Sequence, residues 1–245
     1  VQNGAKLAMK QVNEAGGLNG IEFDFVIKDD KATAADAATG YDTLYESGMQ
    51  ASLGAVTSGS CDSFASKAVE DNVFVLTPSA SAANVIENRD NAFRVCFGDP
   101  DQGTLAAEEL TKEFKNIGAI YDTSDAYSSG IYKAFDEKMK ELGVEYNTQT
   151  FDAENKKDFT TQVKALKDCD VIFLPIYYTE AGLIAKSVTA AESSALLFGC
   201  DGLDGIADQI DSSVKNTIKY ITPFDVNSAD ESVKSFVDAY KAEYN

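Results

Sequence analysis

The sequence predicts an α/β protein with two doubly wound parallel-sheet lobes joined by a hinge. Its 245 residues, 44% of them hydrophobic, exceed the usual size of one compact domain. Strand-like and helix-like segments alternate along almost the whole chain, as parallel sheets require. The alternation breaks at Gly98-Asp99-Pro100-Asp101 and at Thr222-Pro223-Phe224-Asp225, which predict two crossings between lobes. We therefore expect residues 1–97 plus 226–245 to form the first lobe and 98–225 the second.

The first lobe is predicted to begin with a helix over 1–15. One face of this helix would carry Val1, Ala5, Ala8 and Val12. Gly16-Gly17 ends it, because glycine adopts the left-handed conformation without steric cost. Residues 21–28 alternate and are rich in β-branched and aromatic side chains, which predicts a strand. The same criteria predict helices over 34–46 and 60–70 and strands over 52–56, 73–76 and 93–97.

The second lobe follows the first crossing. Pro100 biases its neighbour toward extended geometry, and Asp101 can cap a helix over 102–114. The alternating series then continues with strands over 119–121, 144–150, 171–174, 196–198 and 217–221 and helices over 128–142, 158–167 and 180–191, with a short helix near Gly205. The last helix, 230–244, follows the return crossing and is assigned to the first lobe.

Composition excludes several classes of function. The net charge of −19 disfavours electrostatic binding to nucleic acids or to acidic membranes. The chain has no histidine, which removes Ser-His-Asp triads, Cys-His pairs and most catalytic zinc sites. It has neither a P-loop nor a dinucleotide-binding glycine motif, and its four cysteines include no C-x-x-C pair. We expect a protein that is not an enzyme and needs no cofactor or metal.

Two segments of the first lobe place small hydroxyl residues where an apolar strand gives way to a predicted helix. The first is Gly54 to Ser60, and the second is Leu76 to Ser81. The first N–H groups of a helix lack intrahelical partners, so they can hold a carboxylate or phosphate together with a serine hydroxyl. Two such segments side by side indicate one shared anionic ligand. Ser60 could instead be only a helix N-cap.

The second lobe offers different chemistry at the ends of its strands. Tyr127, Tyr177 and Asp201 each follow a predicted strand, where ligands of open α/β sheets bind. A ligand with a carboxylate, an ammonium and an apolar body matches both lobes. Its carboxylate would bind Ser58 and Ser81, its ammonium would bind Asp201, and the two tyrosines would enclose the apolar part. Such a ligand is a free amino acid. Two alternatives stay open: Asp204 competes for the ammonium, and Tyr178 could be a core residue at a strand end.

The chain resembles the extracytoplasmic solute-binding proteins of ABC transporters, in the branched-chain amino acid (Leu/Ile/Val) binding family with the type I periplasmic-binding fold. The matching segments occur in order along nearly the whole chain: Asn3-Gly4-Ala5, Asn13-Glu14-Ala15-Gly16-Gly17-Leu18-Asn19-Gly20, Asp29-Asp30-Lys31, Gly54-Ala55-Val56-Thr57-Ser58, Thr77-Pro78-Ser79-Ala80-Ser81, Phe93-Arg94, Asp101-Gln102-Gly103, Tyr121-Asp122, Tyr127-Ser128-Ser129-Gly130, Lys157-Asp158-Phe159, Tyr177-Tyr178 and Gly199-Cys200-Asp201-Gly202.

The resemblance implies roles for the candidate residues. Ser58 and Ser81, with the backbone of Ser79 and Ala80, would bind the ligand carboxylate. The remaining candidates, on the second lobe, are Tyr127, Tyr177 and Asp201, which would close on the ligand and bind its amine. Asp201 stands where some members have Glu, and Ser81 where Thr is common, so the side-chain preference within the amino acids stays open. The implied partner is a membrane ABC permease, for a monomer located in the periplasm or anchored as a lipoprotein on a Gram-positive cell.

The resemblance also implies that this chain lacks elements which family members have. Family members begin with a strand in the middle of the first-lobe sheet and continue past the helix that ends here, with a third crossing. We expect either a piece of a longer chain or another segment that supplies the strand, because its neighbours would otherwise carry unpaired backbone groups. Three other functions stay open: a ligand-sensing ectodomain of the same fold, a binder of another small carboxylate or amide, and a hydrolase using Ser58 or Cys61.

Overall fold

The computed structural model describes residues 1–244, whose strands form two separate parallel sheets. The helices are α1 (Gln2–Glu14), α2 (Ala34–Glu46), α3 (Ser58–Glu70), α4 (Asp99–Glu113), α5 (Ala126–Glu141), α6 (Thr160–Ala165), α7 (Tyr178–Ala190) and α8 (Glu231–Tyr244). The strands are β1 (Ala51–Ser52), β2 (Phe74–Thr77), β3 (Ala92–Arg94), β4 (Ile117–Asp122), β5 (Asn147–Phe151), β6 (Val171–Leu174), β7 (Leu196–Gly199) and β8 (Ile218–Tyr220). The predicted α/β class with parallel sheets is confirmed.

The smaller sheet has three parallel strands in the order β1-β2-β3. Helices α2 and α3 pack on one of its faces, where Tyr41 and Phe64 meet edge to face over Val75. The opposite face carries Phe74 and Phe93, which stack at 5.4 Å between ring centroids and are each almost half exposed. The core of this sheet is therefore one-sided among the described residues.

The larger sheet has five parallel strands in the order β5-β4-β6-β7-β8 and is covered on both faces. All four residues of its central strand β6 are buried, as expected for a parallel strand between two helical layers. One layer contains α4 and α5, with Phe135 and Met139 in its core, and the other contains α6 and α7, with Phe159 and Ile184. This sheet holds most of the hydrophobic core.

The predicted strand over 21–28 is wrong. Only an isolated antiparallel bridge between Leu18 and Ile21 forms there, and the Asn13 side chain bonds both the N–H and the C=O of Phe23 at 2.8 Å. An alternating sequence becomes a strand only where a neighbour pairs with its backbone. Among the described residues no strand lies beside this segment, and a cavity of about 450 Å³ separates 25–30 from the stretch after β1.

Several predicted helix starts and faces also need correction. Helix α3 begins at Ser58 and α4 at Asp99, two and three residues earlier than the pattern indicated. Pro100 fits inside the first turn of α4, because the N–H it lacks has no partner there in any helix. Asp101 still caps this helix, since its carboxylate accepts a bond from the N–H of Gly98 at 3.2 Å. In α1 the buried side chain is Leu7, which lies outside the predicted face.

Helix α8 packs against α1 rather than against the five-stranded sheet. The amide of Asn3 donates to the Tyr240 hydroxyl at 3.3 Å, and Lys10 forms an ion pair with Glu243. This contact accords with placing 226–245 in the first lobe, and the lobe boundaries stay a prediction. In the part of the chain that the structure describes, no helix is both long and apolar enough to cross a membrane.

Candidate functional site

The N-terminus of α3 presents hydrogen-bond donors that the fold leaves unused. Its N-cap, Thr57, makes no capping bond, and the first turn holds no acidic residue. The hydroxyls of Thr57 and Ser60 are buried without a partner among residues 1–244. The Ser58 hydroxyl accepts a bond from the N–H of Ala82 at 3.2 Å, which leaves its own proton free to donate. This helix end can therefore take an anion. Ser60 is not the N-cap.

The second hydroxyl segment is built differently from the prediction. Residues 78–82 form an irregular loop followed by a single 3-10 turn, Ala83–Val85, rather than an α-helix. Thr77, which the pattern did not single out, accepts bonds from the N–H groups of Ser79 and Ala80 and donates to the carbonyl of Ala55 at 3.0 Å. The N–H groups of Ser79 and Ala80, which were expected to bind the ligand carboxylate, are thus already paired, and the Ser81 side chain is buried. A Thr at a strand end before Pro-Ser is a turn signal that could have identified Thr77.

Tyr127 and Tyr177 stack face to face, with 4.8 Å between ring centroids and an angle of 18° between ring planes. The buried Tyr127 hydroxyl donates to Asp201 Oδ1 and accepts from the N–H of Gly202, both at 2.8 Å. Burial raises the pKa of Tyr177 and the charge of Asp125 adds to this rise, whereas the backbone of Ser58 lowers it. Tyr177 also lines one cavity together with Thr57 and Gly59 of the first hydroxyl segment.

Asp201 is held by the 3-10 turn that it begins and by the side chains of Gln102 and Tyr127. It begins a 3-10 turn after β7, and its N–H donates to Gln102 Oε1 at 3.2 Å. Burial raises the pKa of Asp201, and the hydroxyl of Tyr127 and the side chain of Gln102 partly oppose that rise. The Nε2 group of Gln102 is buried without a partner in the described structure. Sequence reasoning placed Gln102 only as the first residue of a helix and missed its contact with Asp201.

The competing candidates lie elsewhere. Asp204 is exposed and accepts a bond from the Tyr220 hydroxyl at 3.3 Å, away from Tyr127. Tyr178 is 40% exposed, so its interpretation as a core residue is wrong. Cys61 is fully buried, and this burial raises the pKa of its thiol, which disfavours a reactive thiolate.

A cavity of about 380 Å³ opens beside the candidate residues, within the range of small-molecule sites. It lies between the N-termini of α3 and α7, and its lining includes Thr57, Gly59, Ser128 and Tyr177. Of the seven candidate residues, Tyr177 alone lines this cavity. The other six do not: Ser58, Ser79, Ala80, Ser81, Tyr127 and Asp201.

Asp99 is a buried acid beside the candidate site that the sequence pattern did not reveal. It is 1% exposed, and its carboxylate makes no well-formed hydrogen bond among the described residues, although the Ser81 hydroxyl is close enough to lower its pKa. Its backbone N–H donates to the carbonyl of Ser81 at 3.1 Å. Burial raises the pKa of Asp99 to about 7, against the lowering effect of the Ser81 hydroxyl and with a further rise from the charge of Asp201.

The raised pKa of Asp99 makes a prediction about stability. The folded state holds the Asp99 proton more tightly than the unfolded state does. The protonated carboxyl therefore contributes to the free energy of unfolding, and this contribution is complete below about pH 4. It is lost as the pH rises through about 7. Asn cannot ionise, and Asp99→Asn should therefore raise the free energy of unfolding by about 1 kcal/mol at pH 8 and by less at pH 4, since a buried amide has its own cost. Urea unfolding at both pH values measures this, and an equal effect at both would contradict the prediction.

The sequence profile of a protein family described as periplasmic binding protein matches residues 1–245. A Leu/Ile/Val-binding protein of Rhizobium johnstonii is 29% identical over 208 residues, which make up 83% of this chain and 56% of the relative. The chain thus spans little more than half the length of that curated relative.

Solved structures show the same fold. The branched-chain amino acid transporter substrate binding protein LivJ of Streptococcus pneumoniae, in complex with isoleucine, is 30% identical with a TM-score of 0.91, and the match covers 100% of this chain and 72% of that one. A solute binding protein of R. palustris in complex with benzoate has a TM-score of 0.86 at 18% identity, over 99% of this chain and 68% of that one. At that identity the likeness concerns the fold alone.

Proposed function

The chain belongs to the periplasmic binding protein family, and from this premise we propose that it binds a free amino acid with a branched-chain or similarly small apolar side chain and delivers it to an ABC permease in the membrane. The candidate ligand-binding residues are Ser58, Ser79, Ala80, Ser81, Tyr127, Tyr177 and Asp201. Of these, Ser79 and Ala80 offer no free backbone N–H, since both N–H groups already donate to the Thr77 hydroxyl.

One observation supports the proposal: the N-terminus of α3 and Tyr177 line the same cavity. The N-terminus of α3 offers unpaired hydroxyls of Thr57 and Ser60, with the positive end of the helix dipole. Tyr177 stacks on Tyr127, whose hydroxyl donates to Asp201, so the stacked pair connects this cavity with a carboxylate. An α-amino acid carries its anionic and cationic groups on one carbon, so it matches donors and a carboxylate set close together.

Lobe closure follows from this arrangement. The carboxylate donors come from the chain before the first crossing, and Asp201 and the tyrosines come from the chain after it. Only a closed form offers both halves to one ligand, so binding shifts the population toward closure. The family, and the placing of carboxylate donors and ammonium ligands on opposite sides of the first crossing, support a binding protein rather than an enzyme. We propose that it acts as a monomer outside the cytoplasmic membrane.

A second candidate is a binder of a small carboxylate without an amine. It is favoured by one finding, the unpaired hydroxyls of Thr57 and Ser60 at the N-terminus of α3, which can bind a carboxylate without any amine. Asp201 is evidence against this second candidate. Burial already raises the pKa of this carboxyl, and a ligand that brings only another negative charge would be repelled by the ionised form. The relatives with Leu/Ile/Val-binding names share more identity with this chain.

A thermal-shift screen tests the proposal. Leucine, isoleucine and valine are compared with benzoate and with 4-methylpentanoate, which is leucine without its amino group. A ligand present at about 100 times its dissociation constant adds about 2.7 kcal/mol to the free energy of unfolding. We expect the amino acids to raise the unfolding temperature and the two acids to leave it unchanged. A larger shift with either acid than with every amino acid would replace the first candidate by the second.

A further inference from the structure

We propose that Arg94 is a positioning residue of the candidate site, which acts through one peptide group on the Ser58 hydroxyl. This inference rests on the proposed amino-acid function and adds to it a residue that does not itself touch the ligand. It starts from the surroundings of the Arg94 side chain, which is partly buried at the end of β3. Among residues 1–244, no ion pair within 4.0 Å includes Arg94. In a chain with 40 acidic residues, this cation therefore bonds groups of another kind.

The Arg94 guanidinium bonds two consecutive backbone carbonyls at the end of the second hydroxyl segment. Its Nη1 donates to the carbonyl of Ser81 at 2.5 Å and to the carbonyl of Ala82 at 3.1 Å. The Ser81 carbonyl also accepts a bond from the N–H of Asp99 at 3.1 Å. Hydrogen bonds from a charged donor are stronger than those between neutral groups. Arg94 therefore fixes an irregular loop at the point where it passes the candidate site.

The Ser81 carbonyl connects Arg94 with the first hydroxyl segment. This carbonyl and the N–H of Ala82 belong to the same peptide group, and that N–H donates to Ser58 Oγ at 3.2 Å. The Ser58 hydroxyl thus accepts a bond on one side and keeps its own proton for a ligand. In a chain of hydrogen bonds each bond polarises the next, so a cation on the carbonyl strengthens the bond made by the N–H. Arg94 thereby makes Ser58 a better donor to a carboxylate.

The place of the guanidinium depends on the first crossing. A Cβ on Gly98 would stand 2.6 Å from Arg94 Nη2, so the guanidinium lies against the residue that precedes α4. Burial raises the pKa of Cys96 and of Asp99, on either side of Gly98, and the positive charge of Arg94 opposes both rises. The cation therefore lies close to the candidate site, although its hydrogen bonds go only to backbone carbonyls.

Arg89 is an arginine of the same lobe with a structural role only. Its guanidinium donates to the carbonyls of Asn84 and Val85 and forms an ion pair with Asp62 at 2.7 Å. The N–H groups of those two peptide groups donate within the 3-10 turn and reach no candidate residue. Arg89 is therefore the matched control: it makes the same kind of bonds without a path to Ser58.

A double-mutant cycle with leucine, measured by isothermal calorimetry, tests the proposal. Ser58→Ala should weaken leucine binding roughly 10- to 100-fold, the range for a hydrogen bond to a charged group. Arg94→Met, which removes the charge and keeps a long side chain, should weaken it roughly 3- to 10-fold, the effect of one ordinary hydrogen bond. In the Ser58→Ala background, Arg94→Met should change the affinity by less than about twofold, because the hydroxyl on which it acts is gone. Arg89→Met should bind leucine as the wild type does.

Two further measurements distinguish an effect on the carboxylate from a general loosening of the loop. Leucinamide keeps the ammonium and the side chain of leucine and lacks the carboxylate. Arg94→Met should therefore weaken the binding of leucinamide less than that of leucine. Gly98→Ala keeps the arginine and displaces its guanidinium, since the added Cβ would stand 2.6 Å from Nη2. This variant should also weaken leucine binding, by a smaller factor than Arg94→Met.

The outcomes separate the two proposals. If the wild type binds no amino acid, the proposed function fails, and this inference fails with it. If the wild type binds leucine and Arg94→Met binds it as tightly, Arg94 does not act on the site and the proposed function stands. The same conclusion follows if Arg94→Met costs the same factor with and without the Ser58 hydroxyl, or the same factor for leucine and leucinamide. The unfolding temperature shows whether each variant is folded. If Arg94→Met is not, Gly98→Ala decides, and wild-type affinity for leucine in that variant overturns the proposal.

Discussion

Replacing Gly103 by alanine is expected to lower the free energy of unfolding by about 3 kcal/mol, the upper part of the range for overpacking. Gly103 lies where α4 meets α5, inside the layer that covers one face of the five-stranded sheet. A Cβ there would stand 2.3 Å from the carbonyl oxygen of Ile131 and 2.8 Å from the backbone nitrogen of Phe135. Backbone atoms cannot rotate away as a side chain can, so the two helices must separate.

Gly59 provides the matched control, because it is also a helical glycine and a Cβ there would meet nothing within 4 Å. Gly59→Ala should leave the free energy of unfolding unchanged or raise it by up to about 1 kcal/mol, since alanine favours helix. Urea unfolding of both variants and the wild type measures the contrast. If Gly103→Ala unfolds within about 0.5 kcal/mol of the wild type, the close packing of α4 on α5 is not as described.

Asp201→Asn is expected to weaken the binding of leucine by about 1.5 to 3 kcal/mol, the range for a hydrogen bond to a charged group. The Asn carbonyl can still accept the bond from the Tyr127 hydroxyl, which now measures 2.8 Å to Asp201. The geometry is therefore kept while the negative charge that would face the ammonium is lost. Isothermal calorimetry with leucine measures the loss.

Asp204→Asn is the control for this effect, three residues further along the chain and outside the contacts of Tyr127. Asp204 is exposed and bonds only the Tyr220 hydroxyl among the described side chains. Its variant should bind leucine as the wild type does. Equal affinity of Asp201→Asn and the wild type would remove Asp201 from the amine site, and equal losses in both variants would indicate a general effect of net charge.

The elements with a strong local signal could be predicted from the sequence. The helix over 34–46 and the strand over 171–174 match the structure at both ends. Their hydrophobic periods and the flanking turn residues are properties of neighbouring residues, which the sequence displays directly. The predicted starts of α3 and α4 were two and three residues too late. The first N–H groups of a helix have no intrahelical partner, so the sequence pattern does not fix where the first turn begins.

The segment over 21–28 shows where local reasoning fails. Its alternation is as regular as that of a strand, yet Phe23 and Val26 are about half exposed and the backbone makes no ladder. Pairing depends on what lies beside a segment in space, and the alternating pattern carries no information about that. The same limit explains the second hydroxyl segment, where bonds to Thr77 replace the predicted helix.

The same limit applies to the candidate site, of which only a part could be predicted from neighbouring residues. By itself, the sequence determined the α/β class, the absence of histidine chemistry and the residue types at the strand ends, since each of these depends on composition or on adjacent residues. Only the tertiary structure decided that Tyr127 holds Asp201 across 74 positions, that Gln102 reaches it across 99, and that Asp99 is buried without a partner beside them. Burial and hydrogen-bond satisfaction are set by all the surrounding chain, so an acid in a solvated turn and an acid in a buried site look alike in the sequence.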